Sequence, residues 1–455
     1  MRARRGLIPS NFLVLLLALI LVSCSGGGSE APPSLAPQPS AAQPPAPAGL
    51  IWSRDHALVR SQTDGSGLVT LADEPAGIGF TMVSGTNVVY TTPQIPYVVN
   101  MEDLWAVQTN GTDRHLVVHD AIHETHLSDV IGPWVLYTYR PGLSFSPPPP
   151  SLASILLTGA ASRIIMAATG QGELWHGPNY ERQVGGRAVI EFAGNYFSLL
   201  PDGTDLRQLT FYSPPPHGNE SFTALLGIRG VVGNSVIYPT VISPSSPTAP
   251  EGTPKLFAVP VLGGPTAKLG DGPEMEILGA VVRTRAVYHR CVLIALPNFD
   301  FTIDQCDVSS VQSDGHGRVA LTATRDINYV QGTIGEQVII RRSQRGGTTD
   351  SLFGIPVSGG AETPLLTLSA QNEFVSGIVG DRILVIRATG LWSLKADGSG
   401  LVQLTSDPSD WFSGSTGPFA CFVRGPSQPD LWCVPADGSG VATHVATGAV
   451  FVSGL

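Results

Sequence analysis

From Leu50 onward, apolar and polar residues alternate in short runs, and each run ends in Gly, Pro, Asn or Asp. Alternation with a period of two marks a half-buried strand. One phrase recurs along the chain. It reads Leu391-Trp-Ser-Leu-Lys-Ala-Asp-Gly-Ser-Gly-Leu-Val-Gln-Leu-Thr405 and again Leu431-Trp-Cys-Val-Pro-Ala-Asp-Gly-Ser-Gly440. Other copies are Leu104-Trp-Ala-Val-Gln-Thr-Asn-Gly111, Tyr196-Phe-Ser-Leu-Leu-Pro-Asp-Gly203, Leu256-Phe-Ala-Val-Pro-Val-Leu-Gly-Gly264 and Leu352-Phe-Gly-Ile-Pro-Val-Ser-Gly-Gly360. Asp-Gly, Asn-Gly and Gly-Gly supply the positive-φ residues of tight turns, so each copy predicts a β-hairpin. No helical periodicity follows residue 24.

The turn glycines are Gly65, Gly111, Gly159, Gly203, Gly264, Gly315, Gly360, Gly398 and Gly438, spaced by 38 to 61 residues. The Gly159 copy is degraded. A second apolar segment precedes most hairpins, as in Val130-Ile-Gly-Pro-Trp-Val-Leu-Tyr137 and Val231-Val-Gly-Asn-Ser-Val-Ile-Tyr238. That gives four short strands per repeat, and four-stranded repeats of roughly 40–45 residues point to a β-propeller. The C-terminal Val450-Phe-Val-Ser-Gly454 matches the opening strand Phe374-Val-Ser-Gly377, which the first repeat, 51–71, lacks. The expected fold is therefore all-β: a single closed β-propeller of eight or nine four-stranded blades, its ring closed by the C-terminal strand. An open β-solenoid and two smaller propellers are the alternatives.

The phrase Leu-Trp-x-Leu-x-Ala-Asp-Gly-Ser-Gly-x-x-x-Leu-Thr, as it stands at 391–405, resembles the WD40-like repeat of the TolB propeller family. The resemblance runs over roughly residues 50–455. Two features depart from the family. The Trp-Ser-Pro-Asp-Gly phrase is absent, and a spacer stands where TolB carries a small α/β domain. The resemblance thus implies the propeller and not the role of TolB itself.

Met1-Arg-Ala-Arg-Arg5 followed by the apolar run 12–22 has the layout of an export signal, and the run is short for a membrane span. Leu21-Val-Ser-Cys24 resembles a bacterial lipobox, which implies cleavage before Cys24 and lipid attachment there. Acyl chains contribute about 0.8 kcal/mol per buried CH2, so such an anchor is firm. Ser25 after the cysteine favours, by analogy with lipoproteins, the outer membrane or a periplasm-facing position. The expected organisation is a signal peptide at 1–23, a lipidated Cys24 with a Gly/Pro/Ala/Ser-rich tether at 24–48, and the propeller at 49–455. The tether composition cannot bury a core and suits an extended spacer.

Charge narrows the partners. The chain carries 26 Lys+Arg against 36 Asp+Glu, and loss of three Arg with residues 1–23 leaves 23 − 36 = −13. An acidic chain whose only lysines are Lys255, Lys268 and Lys395 has no footprint for nucleic acid. The remaining cysteines, Cys291, Cys306, Cys421 and Cys433, form two pairs. Each brackets a hairpin between the second and third strands of a repeat, so an exported chain is expected to join Cys291 to Cys306 and Cys421 to Cys433.

Candidate chemistry is sparse. His115, His119, His123 and His126 lie within twelve residues of Asp120 and Glu124. Of these, His123, Glu124 and His126 could converge in a loop around a metal, although polar loop residues are the preferred reading and no cofactor is expected. Asp300, Asp304 and Asp307 read as hairpin-loop acids, since their spacing is not that of a calcium loop. No Gly-x-Ser-x-Gly elbow, Walker loop or dinucleotide fingerprint occurs. Trp52, Trp105, Trp392 and Trp432 occupy strand positions of the repeat and read as core. Two Pro-rich inserts, at 139–151 and 242–254, interrupt repeats between strands and are candidate binding loops. The expected function is a lipid-anchored module of the cell envelope that binds a protein or an envelope polymer. The alternatives are an enzyme acting on polysaccharide through the central channel and a purely structural lipoprotein.

Overall fold

The computed structural model describes residues 48–455 apart from 94–101, 120–122, 142–149, 161, 168–177, 213–222, 226, 243–253, 296–300, 325, 345, 371 and 426–428. Cys24, the tether and the central parts of both Pro-rich inserts lie outside the described residues. No helix occurs among those described, so none is long and apolar enough to cross a membrane.

The strands form eight antiparallel sheets. Most have four strands, and one of eight consists of two four-stranded meanders joined by a single parallel bridge, Cys306 to Ile327. In chain order the meanders span 49–73, 81–118, 123–166, 179–208, 223–268, 275–320, 327–369, 374–403 and 411–446, and are numbered 1 to 9 below. In meander 5 the opening strand is split into Thr223–Leu225 and Gly230–Val232. Meander 1 takes its opening strand from the C-terminus: Val450–Gly454 pairs antiparallel with Gly49–Arg54, with Leu50 opposite Gly454.

Apolar packing links each meander to the next. Val88, Tyr90 and Ile51 join meanders 1 and 2, while Val89, Leu104 and Tyr137 join 2 and 3. The series continues to Phe422, Leu391 and Val434, which join 8 and 9. Trp52, Cys421 and Leu431 then pack meander 9 onto meander 1.

The Asp-Gly phrase makes the turn between third and fourth strands, as its composition dictates. All nine turn glycines have positive φ. The Asp carboxylate rigidifies the turn by accepting the amide two residues on, as Asp64 does from Ser66 (2.9 Å) and Asp397 from Ser399 (2.8 Å). The opening strands use glycine differently. Seven of them carry a β-bulge at one place, with Val452, Ser128, Glu181, Gly279, Gln331, Ser376 and Ser413 unpaired. In three the next residue is a glycine against which the following meander packs. A Cβ on Gly377 would lie 2.5 Å from Phe412, one on Gly414 2.2 Å from Phe451, and one on Gly332 2.5 Å from Ile378. The bulge bends the strand and the glycine removes the side chain, so successive opening strands stand shoulder to shoulder.

Alternation of strand direction gives every meander two unlike ends. The Asp-Gly turns and the first hairpin turns lie at one, the turn end. The connections between second and third strands, and the links between meanders, lie at the other, the loop end. Residues 139–151 and 242–254 belong to connections at the loop end.

Both disulfides form as expected, between facing residues of second and third strands with Cα atoms 4.1 Å apart. Two expectations change. Asp304 and Asp307 lie within the strand Phe301–Gln312 and not in a hairpin loop, because pairing with Arg285–Ala295 extends beyond the disulfide. His123, Glu124 and His126 likewise belong to the strand His123–Ile131, paired with Trp134–Pro141, and not to a loop.

Candidate functional site

The first functional candidates were imidazoles, and the described rings do not converge. His115 directs Nδ1 to the Asp113 carbonyl (2.8 Å) and Nε2 to the Leu157 carbonyl (2.6 Å), and the Leu157 contact raises its pKa. His119 Nδ1 meets Asp103 at 2.8 Å, and His126 Nδ1 stands 3.8 Å from Glu102. The side chains of His123 and Glu124 lie outside the described residues, as does Asp300. Among the described residues no group of three or more His, Cys, Asp or Glu side chains is placed to hold a metal.

The loop end carries a different arrangement, built four times over. In meanders 7, 8 and 9 an Arg late in the second strand, and in meander 2 an Arg just before the fourth, is held by nearby polar side chains and stacks on the aromatic ring of the third strand. In meander 9, Arg424 donates to both oxygens of Asp410 at 2.7 Å and lies 5.0 Å from the Trp432 ring. In meander 8, Arg387 donates to Glu373 (2.7 Å) and stacks on Trp392 (5.5 Å). In meander 7, Arg342 donates to Asn328 (3.0 Å) and Glu362 (3.1 Å) above Phe353 (4.3 Å). In meander 2, Arg114 donates to Tyr90 (2.8 Å) and Glu74 while covering Trp105 (4.2 Å). The repeat tryptophans are therefore core on one side and cation platforms on the other. Sequence reading missed these clasps, although Glu373/Arg387 and Asp410/Arg424 share one sequence spacing. Asp410 is buried, and the guanidinium beside it forms two charge-assisted bonds. Groups locked this way do not shuttle protons. They hold a rigid frame.

Above the frame stand apolar side chains at one position, the start of the opening strand, three of them exposed and Phe374 half-buried. Trp411 is 57% exposed, and its ring lies 5.8 Å from that of Phe374 at 40°. Val450 begins the neighbouring strand, and Phe80 precedes the strand Thr81–Ser84. Both are more than half exposed. Phe374, Trp411, Val450 and Phe80 thus belong to meanders 8, 9, 1 and 2, which pack in that order.

Titratable groups gather in one further place. Glu181, the bulge residue of Asn179–Val184, accepts the Ile228 amide at 3.0 Å. Burial, helped by Glu181, raises the pKa of Glu191. Beside them Tyr180 donates to Asp129, and burial drives the phenol well above its ordinary range. The other described bulge residues are Ser, Gln, Gly or Val.

No family model matches the sequence, and no curated protein matches it. Solved structures are similar to the chain at low identity. A eukaryotic initiation factor is 8% identical with a TM-score of 0.52, covering 90% of this chain and 98% of that one. An oligogalacturonate lyase in complex with manganese is 10% identical, TM-score 0.38, covering 67% and 86%. TolB from Acinetobacter baumannii is 13% identical, TM-score 0.28, covering 59% and 62%. These likenesses concern the fold alone.

Proposed function

We propose that the chain is an exported, lipid-anchored β-propeller that binds a protein or an envelope polymer at its loop end. On this reading the nine meanders are nine blades of a closed ring of the TolB-like type, with Val450–Gly454 as the closing strand and Cys24 as the lipid site. The unbroken series of apolar contacts from meander 1 to 9 and back supports the ring. One observation carries the binding reading: the row Phe374, Trp411, Val450 and Phe80, exposed at all but the half-buried Phe374 and set on a frame of locked Arg–acid pairs. Exposed apolar surface rimmed by fixed polar groups is the layout of a recognition face.

The test is a lipid-preserving pull-down from envelope fractions with the wild type, Cys24→Ala and Trp411→Ala. One partner should enrich reproducibly and be lost with Trp411→Ala while the protein stays folded. Equal capture by Trp411→Ala would place binding elsewhere. The second reading, an enzyme acting on polysaccharide through the central channel, is favoured only by the raised Glu191 beside Glu181. Depolymerisation of an envelope polysaccharide, abolished by Glu191→Gln, would replace the binding reading.

A further inference from the structure

The chain enters the described fold at the turn end. The amide of Thr63, next to the Asp64-Gly65 turn, donates to the Ala48 carbonyl at 2.8 Å, and the Ala48 amide donates to the Thr63 hydroxyl at 3.2 Å. The Gly49 carbonyl accepts from Thr416 (2.7 Å) in the first hairpin turn of meander 9, and from the Leu455 amide (3.0 Å). Whatever holds the chain at Cys24 therefore pulls on this end, opposite the aromatic row.

The turn end also displays aliphatic side chains that the fold does not use. Leu68, Leu206 and Val441 occupy one repeat position, three residues beyond the turn glycine, in meanders 1, 4 and 9. Leu262 sits in the turn of meander 5. All four are more than half exposed. Some carboxylates at this end are ion-paired, Asp205 with Arg187 (2.8 Å) and Arg207 (2.9 Å), Asp202 with Arg163 (3.8 Å) and Glu336 with Arg283 (2.7 Å), whereas Asp64, Asp314, Asp397 and Asp437 accept the amides of their own turns. The ion-paired carboxylates lower the repulsion that an anionic lipid surface would meet beside these aliphatic side chains.

We infer that the turn end is a membrane-docking face on which Leu68, Leu206, Leu262 and Val441 enter the lipid headgroup region, so that the loop end points away from the bilayer. The inference rests on the anchored reading above and adds the face, the residues and the occupant. Each aliphatic contact is weak alone. A spacer of about 24 residues reaches from roughly 27 Å r.m.s. as a flexible coil to roughly 74 Å as an extended polyproline chain. Tethering at that range turns weak contacts into effectively intramolecular ones.

The test uses the full lipidated chain in vesicles of phosphatidylethanolamine and phosphatidylglycerol. An environment-sensitive fluorophore is placed through Leu206→Cys, Val441→Cys or, at the loop end, Ser409→Cys. A nitroxide in the lipid headgroup region should quench the labels at 206 and 441 about threefold more than that at 409. Adding Leu68→Asp and Leu262→Asp should abolish the difference while the chain still floats with vesicles. Flotation with all three labels equally unquenched, or with 409 quenched instead, overturns the inference and leaves the anchor reading intact. Shielding of 206 and 441 that tracks protein concentration without lipid would assign the face to a second copy and overturn it too. A wild-type chain that fails to float, or floats equally as Cys24→Ala, overturns the anchor reading itself.

Discussion

Lowering the pH from 7 to 4 should unfasten the junction between meanders 6 and 7 through His289. Its Nε2 accepts the Val330 amide at 2.9 Å, and its other nitrogen bonds the Ile277 backbone. The ring thus ties strands Met275–Val282, Arg285–Ala295 and Ile327–Ile334 in the neutral state. Burial disfavours the imidazolium and brings the pKa from 6.5 down to about 4. The unfolded chain binds this proton at a higher pH than the folded one. The stability it contributes is therefore fully present above pH 6.5 and lost as pH falls toward 4. At about 1.4 kcal/mol per pH unit the loss totals about 3 kcal/mol, with about 2 kcal/mol gone by pH 5. Urea unfolding at pH 7, 6, 5 and 4.5 measures it, with His289→Leu as the non-titrating reference. The variant is less stable throughout but should lack this slope, so the two curves converge on acidification. Parallel curves for wild type and variant over that range would refute the assignment.

Gly414→Val places methyl carbons where Phe451 stands and should cost about 1–3 kcal/mol or more. It should also expose the C-terminal strand to carboxypeptidase, read by mass spectrometry alongside urea unfolding. Arg424→Met leaves the buried Asp410 carboxylate without its partner and should destabilise the fold at pH 7 by about 3–5 kcal/mol. Adding Asp410→Asn to that variant should restore part of the loss, which distinguishes charge from packing. Reducing the disulfides should lower stability by about 3 kcal/mol each on loop-entropy grounds, seen as a lower thermal midpoint with dithiothreitol. Non-reducing peptide mapping should recover only the pairs Cys291–Cys306 and Cys421–Cys433.

Legibility along the chain followed the physics of each element. Third and fourth strands were easy to place because Asp-Gly turns demand positive φ, which few residue pairs supply. Opening strands were harder: Ser376-Gly377 and Ser413-Gly414 break the alternation at the bulges, and the reason for each glycine is a ring in the next meander. The cysteine pairs were readable because Cys421 and Cys433 flank one hairpin in matching register. Asp304 and Asp307 were misread as loop acids because the hairpin is longer than its neighbours. The Arg–acid–aromatic clasps join residues from three strands, and their acids look like ordinary loop residues in a linear reading. The row of Phe374, Trp411, Val450 and Phe80 was equally hidden, since an exposed Trp at the start of a strand has the same pattern as a buried one.

The pairing of Val450–Gly454 with Gly49–Arg54 has a temporal consequence. Meander 1 is the first to be synthesised, yet its opening strand follows about 400 residues later, a very non-local contact of the kind that slows folding. Until then Gly49–Arg54 keeps a bare hydrogen-bonding edge beside the apolar Leu50 and Trp52, the sort of edge that recruits foreign strands. At an elongation rate of about 5–20 residues per second the wait is roughly 20–80 seconds. The same delay makes truncation at the C-terminus a route to aggregation and not merely to a smaller domain.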